Sequence, residues 1–257
     1  MASEFILQTS GLTKEFKGFT AVDNVDIRVK RGHIHALIGP NGAGKTTFFN
    51  LLTKFLSPSS GTVHFDGVDV TRVDSARMAQ MGAIRSFQIS AVFPDLSVLA
   101  NVRLALQQKA GGSYAFWRSR KALECLNDRA HHFLEQVGLE SSASQRACDL
   151  PYGSKRALEL CTTMAMEPNL MLLDEPTQGM GREDVGRMTE LIQRVAAGRT
   201  VLMVEHNMGV VSDISDMITV LQRGKILAEG PYSVIANDSR VLEAYMGTTG
   251  KQLPGAH

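Results

Sequence analysis

The stretch Gly39-Pro40-Asn41-Gly42-Ala43-Gly44-Lys45-Thr46-Thr47 has the residue types and the spacing to grip a polyphosphate. Its G-x-x-x-x-G-K-T pattern follows Ile34-His35-Ala36-Leu37-Ile38, which reads as a buried strand. It precedes Phe48-Phe49-Asn50-Leu51-Leu52, which reads as the start of a helix. Glycines let successive backbone N–H groups turn toward one anion, and the helix adds its positive end at the same point. In such a loop Lys45 reaches the β and γ phosphates of a nucleotide and the Thr46 hydroxyl ligates Mg²⁺, while Gly39, Asn41, Gly42, Gly44 and Thr47 complete the cradle. The apolar run Leu170-Met171-Leu172-Leu173 stops on Asp174-Glu175, which places Asp174 as an outer ligand of the same Mg²⁺. Phosphoanhydride hydrolysis also needs a water held in line with the γ-phosphate, and Glu175 is the carboxylate to orient or deprotonate it.

Such residues act together only if the chain carries them to one place. Two apolar segments in all end on polar residues: the run 169–173 at Asp174-Glu175, and 200–204 at Glu205-His206. Together with the strand before the phosphate loop they predict a parallel sheet delivering side chains to one crevice. Strands over 5–9 and 25–29, with a turn at 16–19, predict an antiparallel entry sheet. The first helix is expected to carry Phe48, Leu51, Leu52 and Phe55 and to end near Ser57-Pro58. A strand over 62–66, a short helix over 76–81 and a strand over 83–88 follow. The pattern then turns helical. Ser97 caps a helix to Lys109, Gly111-Gly112 breaks it, and a longer helix runs through Leu126, Phe133 and Val137 to Gly138. Helices from Ser154 to Pro168 and over 183–197, a hairpin of 217–222 with 226–228, and short helices over 233–237 and 240–246 complete the reading, with a frayed tail from 248.

Composition narrows the classes. The 257 residues are 44% hydrophobic, enough for a substantial core. Lys plus Arg (27) nearly balance Asp plus Glu (26), so no overall field recruits nucleic acid or an anionic membrane. The three cysteines, Cys125, Cys148 and Cys161, lack metal-ligand spacing and read as reduced thiols of a cytosolic protein. No run is long enough to span a bilayer, and the first residues lack signal-peptide character.

From about residue 5 to 247 the chain resembles the ATP-binding subunits of ABC transporters. The resemblance implies an α/β fold: a P-loop NTPase (RecA-like) core with an antiparallel β subdomain and an inserted α-helical subdomain. The expected division is a core of 1–88 and 161–230, a helical insert of 89–160 carrying the signature motif, and C-terminal helices and tail over 231–257. It implies that Phe16 stacks on adenine, that Gln88 senses the metal and contacts the membrane partner, and that His206 touches the γ-phosphate as the switch histidine. His33, His35, His64, His131 and His132 are left as structural or surface residues.

The family signature L-S-G-G-Q is matched by Leu150-Pro151-Tyr152-Gly153-Ser154, with Tyr152 and Gly153 toward the nucleotide of a second subunit. Pro151 removes a hydroxyl and a backbone N–H there. The loop Thr177-Gln178-Gly179-Met180-Gly181 lacks the family's aspartate. The forms Arg85-Ser86-Phe87-Gln88, Leu-Pro-Tyr-Gly, Glu205-His206-Asn207-Met208 and the ending 240–247 resemble the branched-chain amino acid importer branch. Implied with it are ATP and Mg²⁺, transmembrane permease subunits contacted near Gln88, Phe93, Pro94 and Leu96, a second ATP-binding subunit of the same or a paralogous chain, a periplasmic solute-binding protein, and a peripheral place on the cytoplasmic face of the inner membrane. A soluble regulatory ATPase and a catalytically impaired half of a heterodimer stay open as alternatives.

Overall fold

The computed structural model describes residues 3–86, 92–109 and 120–249. Among them the strands form two sheets. One is antiparallel, built from β1 (Phe5–Phe16), β2 (Phe19–Val25), β5 (Ser60–Phe65) and β6 (Val68–Asp69), with β3 (Arg28–Lys30) paired to β1. The other comprises β4 (Ile34–Ile38), β7 (Ala83–Arg85), β8 (Leu170–Asp174), β9 (Thr200–Val204), β10 (Met217–Gln222) and β11 (Lys225–Gly230) in the order β11-β10-β4-β9-β8-β7. All its pairings are parallel except the hairpin of β10 with β11.

Alternation along the central strands divides the core. Ile34, Ala36, Ile38, Met171, Leu173, Val201 and Met203 face one hydrophobic cluster, while Leu37, Leu170, Leu172, Leu202 and Val204 face another. The first cluster is covered by α3 (Val98–Lys109), α4 (Arg120–Gln136), α5 (Tyr152–Ala165), α6 (Arg182–Ala196) and α7 (Met208–Ile214). The second is covered by α1 (Lys45–Leu52), α2 (Ser75–Gln80) and the antiparallel sheet. Covered on both faces, β4 and β9 are buried along their whole length, which is why they read as unbroken apolar runs. The pairs Leu37 with Val204 and Asp174 with Val204 bring the carboxyl ends of β4, β8 and β9 to one edge.

Several elements differ from expectation for local reasons. The first strand continues to Phe16, and the predicted strand over 25–29 is divided between β2 and β3. Gly11 at φ 57° bends β1 so that its halves pair with different strands, and the Thr9 hydroxyl bridges the crossing, donating to Val25 O and accepting from Ile27 N. Helix α1 stops at Leu52, short of Phe55, because Thr53 Oγ1 donates back to Phe49 O and Lys54 enters the left-handed region at φ 63°. Helix α7 was not expected. Its signal was Asn207, whose Oδ1 accepts from Gly209 N and Val210 N ahead of the apolar Val210, Val211 and Ile214. Near the C-terminus come α8 (Tyr232–Ile235) and α9 (Ser239–Thr249), the latter reaching into the expected tail. Strand β7 ends at Arg85, with Ser86 in a turn, short of the expected strand over 83–88; residues 87 and 88 and the Gly111-Gly112 break lie outside the described residues.

Candidate functional site

The phosphate loop connects β4 to α1, and two of its glycines are fixed by close approaches. A side chain at Gly39 (φ 150°) would put Cβ 2.2 Å from Leu221 O, and one at Gly44 (φ 99°) 2.4 Å from Ala21 O. Only hydrogen fits in either place. Asn41 and Gly42 are exposed at the tip, Thr46 is exposed in the first turn of α1 and Thr47 is half-buried. That turn carries no acidic residue, so the positive helix end is not neutralised locally. Lys45 is buried and folds back on the loop, donating from Nζ to Gly39 O (2.7 Å) and Pro40 O (3.0 Å). Burial lowers its pKa, and the charge of Glu175 opposes that shift. Tyr245 of α9 braces the loop from behind: burial pushes its hydroxyl up to about 12, against a hydrogen bond from the Gly39 backbone.

The acidic pair sits where β8 leaves the sheet. Glu175 has φ 49°, its N–H is held by Val204 O at 2.9 Å, and its Oε1 lies 2.8 Å from His206 Nε2. A carboxylate oxygen accepts, so Nε2 carries the proton in this contact. Glu205, which the sequence marked only as a strand end, holds the surrounding loops. Its Oε1 accepts from Thr177 N (3.1 Å) and Thr177 Oγ1 (2.5 Å), and its Oε2 from His206 N (2.8 Å) and Asn207 N (3.0 Å). Asn41, Glu175, Gln178, Glu205 and His206 line one cavity of about 510 Å³. Asn41 of the phosphate loop, Glu175 and His206 are thereby brought together.

Asp174 is engaged by a residue whose charge the sequence reading left unused. Arg85 of β7, 1% exposed, forms an ion pair with Asp174 Oδ2. The available signal was a charge inside the short apolar strand Ala83-Ile84-Arg85.

Phe16 ends β1 at the hairpin tip, 42% exposed, with Lys14 Nζ 5.2 Å from its ring centre. The following strand is linked to the phosphate loop through Gly224, whose N–H donates to Ala43 O and whose O accepts from Asp23 N–H. Tyr152 and Gly153 line a different cleft with Met180, Asp184, Met188 and Leu191. Tyr152 Oη donates to Gln178 O at 2.9 Å, which connects that cleft to the loop after Glu175. Pro151 is the N-cap of α5, so the helix begins at Tyr152. The amides of Tyr152, Gly153 and Ser154 keep no intrahelical acceptor, and the N–H lost to proline lies ahead of them. Gln88 lies outside the described residues.

The donor set suits nucleotide-bound Mg²⁺. Among the described residues no group of three or more His, Cys, Asp or Glu could hold a metal alone. Thr46 and Asp174 instead offer single oxygens, the ligand type Mg²⁺ takes when phosphates supply much of its shell.

A parallel sheet that ends at a phosphate loop, an acidic pair and a histidine defines a P-loop nucleotide-binding protein. Known proteins narrow this: the ABC transporter family profile matches residues 22–178. The high-affinity branched-chain amino acid transport ATP-binding protein BraF of Pseudomonas aeruginosa is 36% identical over 253 residues, covering 94% of this chain and 98% of that protein. The corresponding LivG of Escherichia coli K12 is 36% identical over 252 residues, covering 95% and 99%. The crystal structure of the ADP conformation of MJ1267, an ATP-binding cassette of an ABC transporter, aligns with TM-score 0.82 at 28% identity, covering 95% and 100%. The chain belongs to the ABC transporter family, as one of its ATP-binding cassettes.

Proposed function

We propose that the chain is the ATP-hydrolysing subunit of an ABC importer for branched-chain amino acids or a related small polar or organic-acid solute. The observation that carries the chemistry is the direct Glu175–His206 contact at the sheet edge where the phosphate loop also ends. Support for the solute comes from the similarity to BraF and LivG, branched-chain amino acid transport ATP-binding proteins.

In this reading Phe16 stacks on adenine and the amides of Gly39–Thr47 take the phosphates. Lys45 leaves the Gly39 and Pro40 carbonyls for the β and γ oxygens. Thr46 and Asp174, with Gln88, would hold Mg²⁺, which would supply neutralisation of phosphate charge. Glu175 orients the water and takes its proton as the water oxygen bonds to the γ-phosphorus. The bond to the β–γ bridging oxygen breaks, giving ADP and inorganic phosphate. His206 gives up Glu175 and donates to the γ-phosphate. Because Tyr152 and Gly153 line a separate cleft, their amides serve the nucleotide of a second, facing subunit. The free amides of residues 152–154 weigh against the impaired-half alternative. No helix among the described residues is long and apolar enough to cross a membrane, so attachment to the cytoplasmic face of the inner membrane runs through permease subunits. The domain division is 1–88 with 161–230, 89–160 and 231–257.

The test is reconstitution with the partner permease and solute-binding protein. Glu175→Gln is expected to keep ATP binding while turnover and uptake of labelled leucine fall by about 100-fold or more. Normal ATP turnover in that variant would remove Glu175 from the role, and ATP turnover unresponsive to branched-chain amino acids would overturn the solute.

A further inference from the structure

Arg85 is a charged side chain with almost no access to water, and among the described residues its hydrogen bonds go to the strand end that carries Asp174 and to the helix that carries Thr46 together with its C-cap. From β7, whose backbone is paired with β8 at Leu172, its guanidinium reaches both. On the β8 side Nη2 donates to Asp174 Oδ2. On the α1 side Nη1 donates to Asn50 Oδ1 at 2.7 Å and, more weakly, to Thr53 Oγ1 at 3.4 Å. The group also lies over the rings of Phe49 (4.9 Å) and Phe55 (5.6 Å), which fix its plane. Asn50 stands one helical turn after Thr46 on α1, so the two share a face. One planar fork thus ties the helix of Thr46 to the strand end of Asp174, leaving Asp174 Oδ1 uncommitted among the described residues.

We propose that Arg85 is a positioning residue for the nucleotide-bound Mg²⁺: by anchoring Asp174 Oδ2 to Asn50 it holds Oδ1 in register with the Thr46 hydroxyl. The inference rests on the ATPase reading above. A half-buried carboxylate with both oxygens free would rotate or draw water, and an outer hydrogen-bond partner removes that freedom. Arginine is required because its fork reaches two acceptors at once and stacks on aromatic faces, whereas a lysine ammonium is a point charge.

The experiment measures the affinity of the purified full chain for a fluorescent, non-hydrolysable ATP analogue in EDTA and in excess Mg²⁺; the ratio reports what the metal adds. Arg85→Lys keeps the charge but loses the fork. Asn50→Ala releases the anchor without touching either charged residue, and serves if Arg85 variants do not fold. Both are expected to bind within about twofold of wild type in EDTA while the Mg²⁺ gain falls, by about tenfold for Arg85→Lys and less for Asn50→Ala. An unchanged gain in the folded variants overturns the inference and leaves the ATPase reading intact. Affinities falling together in both buffers make Arg85 a structural strut and overturn it as well. A wild-type chain with no Mg²⁺ gain overturns the assignment of Thr46 and Asp174 as ligands, and this inference with it.

Discussion

At the scale of single residues, buried polar groups explain more than the exposed ones. His35 sits inside β4, its Nε2 2.8 Å from Thr219 Oγ1, and that hydroxyl donates to Glu229 Oε2 at 2.7 Å. Thr219 must therefore accept from His35, which fixes the proton on Nε2. Burial, aided by the charge of His33, lowers the His35 pKa from 6.5 to about 4. As pH falls below 6.5 the unfolded chain takes up a proton that the folded chain refuses until about 4. Stability should drop across that window by about 3 kcal/mol at most. Urea unfolding at pH 7 and pH 4.5 is expected to show the loss in wild type and a smaller one in His35→Gln; equal losses would show that His35 does not govern it. The sequence reading placed His35 among structural or surface residues, and the structure makes it structural.

At the scale of elements, the ends of helices and strands decide where functional side chains stand. Asn207 starts α7 immediately after His206, with its side chain over the amides of Gly209 and Val210. Asn207→Ala should cost about 1 kcal/mol, seen as a lower urea midpoint at unchanged slope. No change in midpoint would mean that the Glu205 carboxylate alone holds this helix start. Strand ends behave similarly: β8 and β9 stop in register, so Glu175 and His206 meet although they lie 31 positions apart in the chain. Their apolar runs and polar ends were readable in advance; the bend of β1 at Gly11 was not, because Asp26 and Ile27 continue the strand alternation while the crossing through Thr9 interrupts it.

At the scale of the whole molecule, the proposed site is divided between two clefts. Asn41, Glu175 and His206 line one cleft, and Tyr152 with Gly153 another. Two copies, or this chain with a paralogue, would each complete the other's nucleotide. In Glu175→Gln, Mg·ATP is expected to produce a species of twice the monomer mass in sizing with light scattering, and ADP is not. A chain that stays monomeric with ATP and dimerises only on mixing with a paralogue would select the heterodimer; failure in both cases would overturn the facing-subunit role of Tyr152 and Gly153.

The sequence by itself determined the phosphate loop, the two strands that end on Asp174-Glu175 and Glu205-His206, and the helix that follows Pro151. These depend on short-range physics: glycine conformations, free amides at helix starts and apolar periodicity act within a few residues. Tertiary structure alone decided that Arg85 meets Asp174 across 89 positions, that Glu205 satisfies four donors from two loops, and that Lys45 turns back on its own loop. Each is the answer to a buried charge's need for partners, and which partners are within reach is set only when β7, β8, β9 and α1 are packed together.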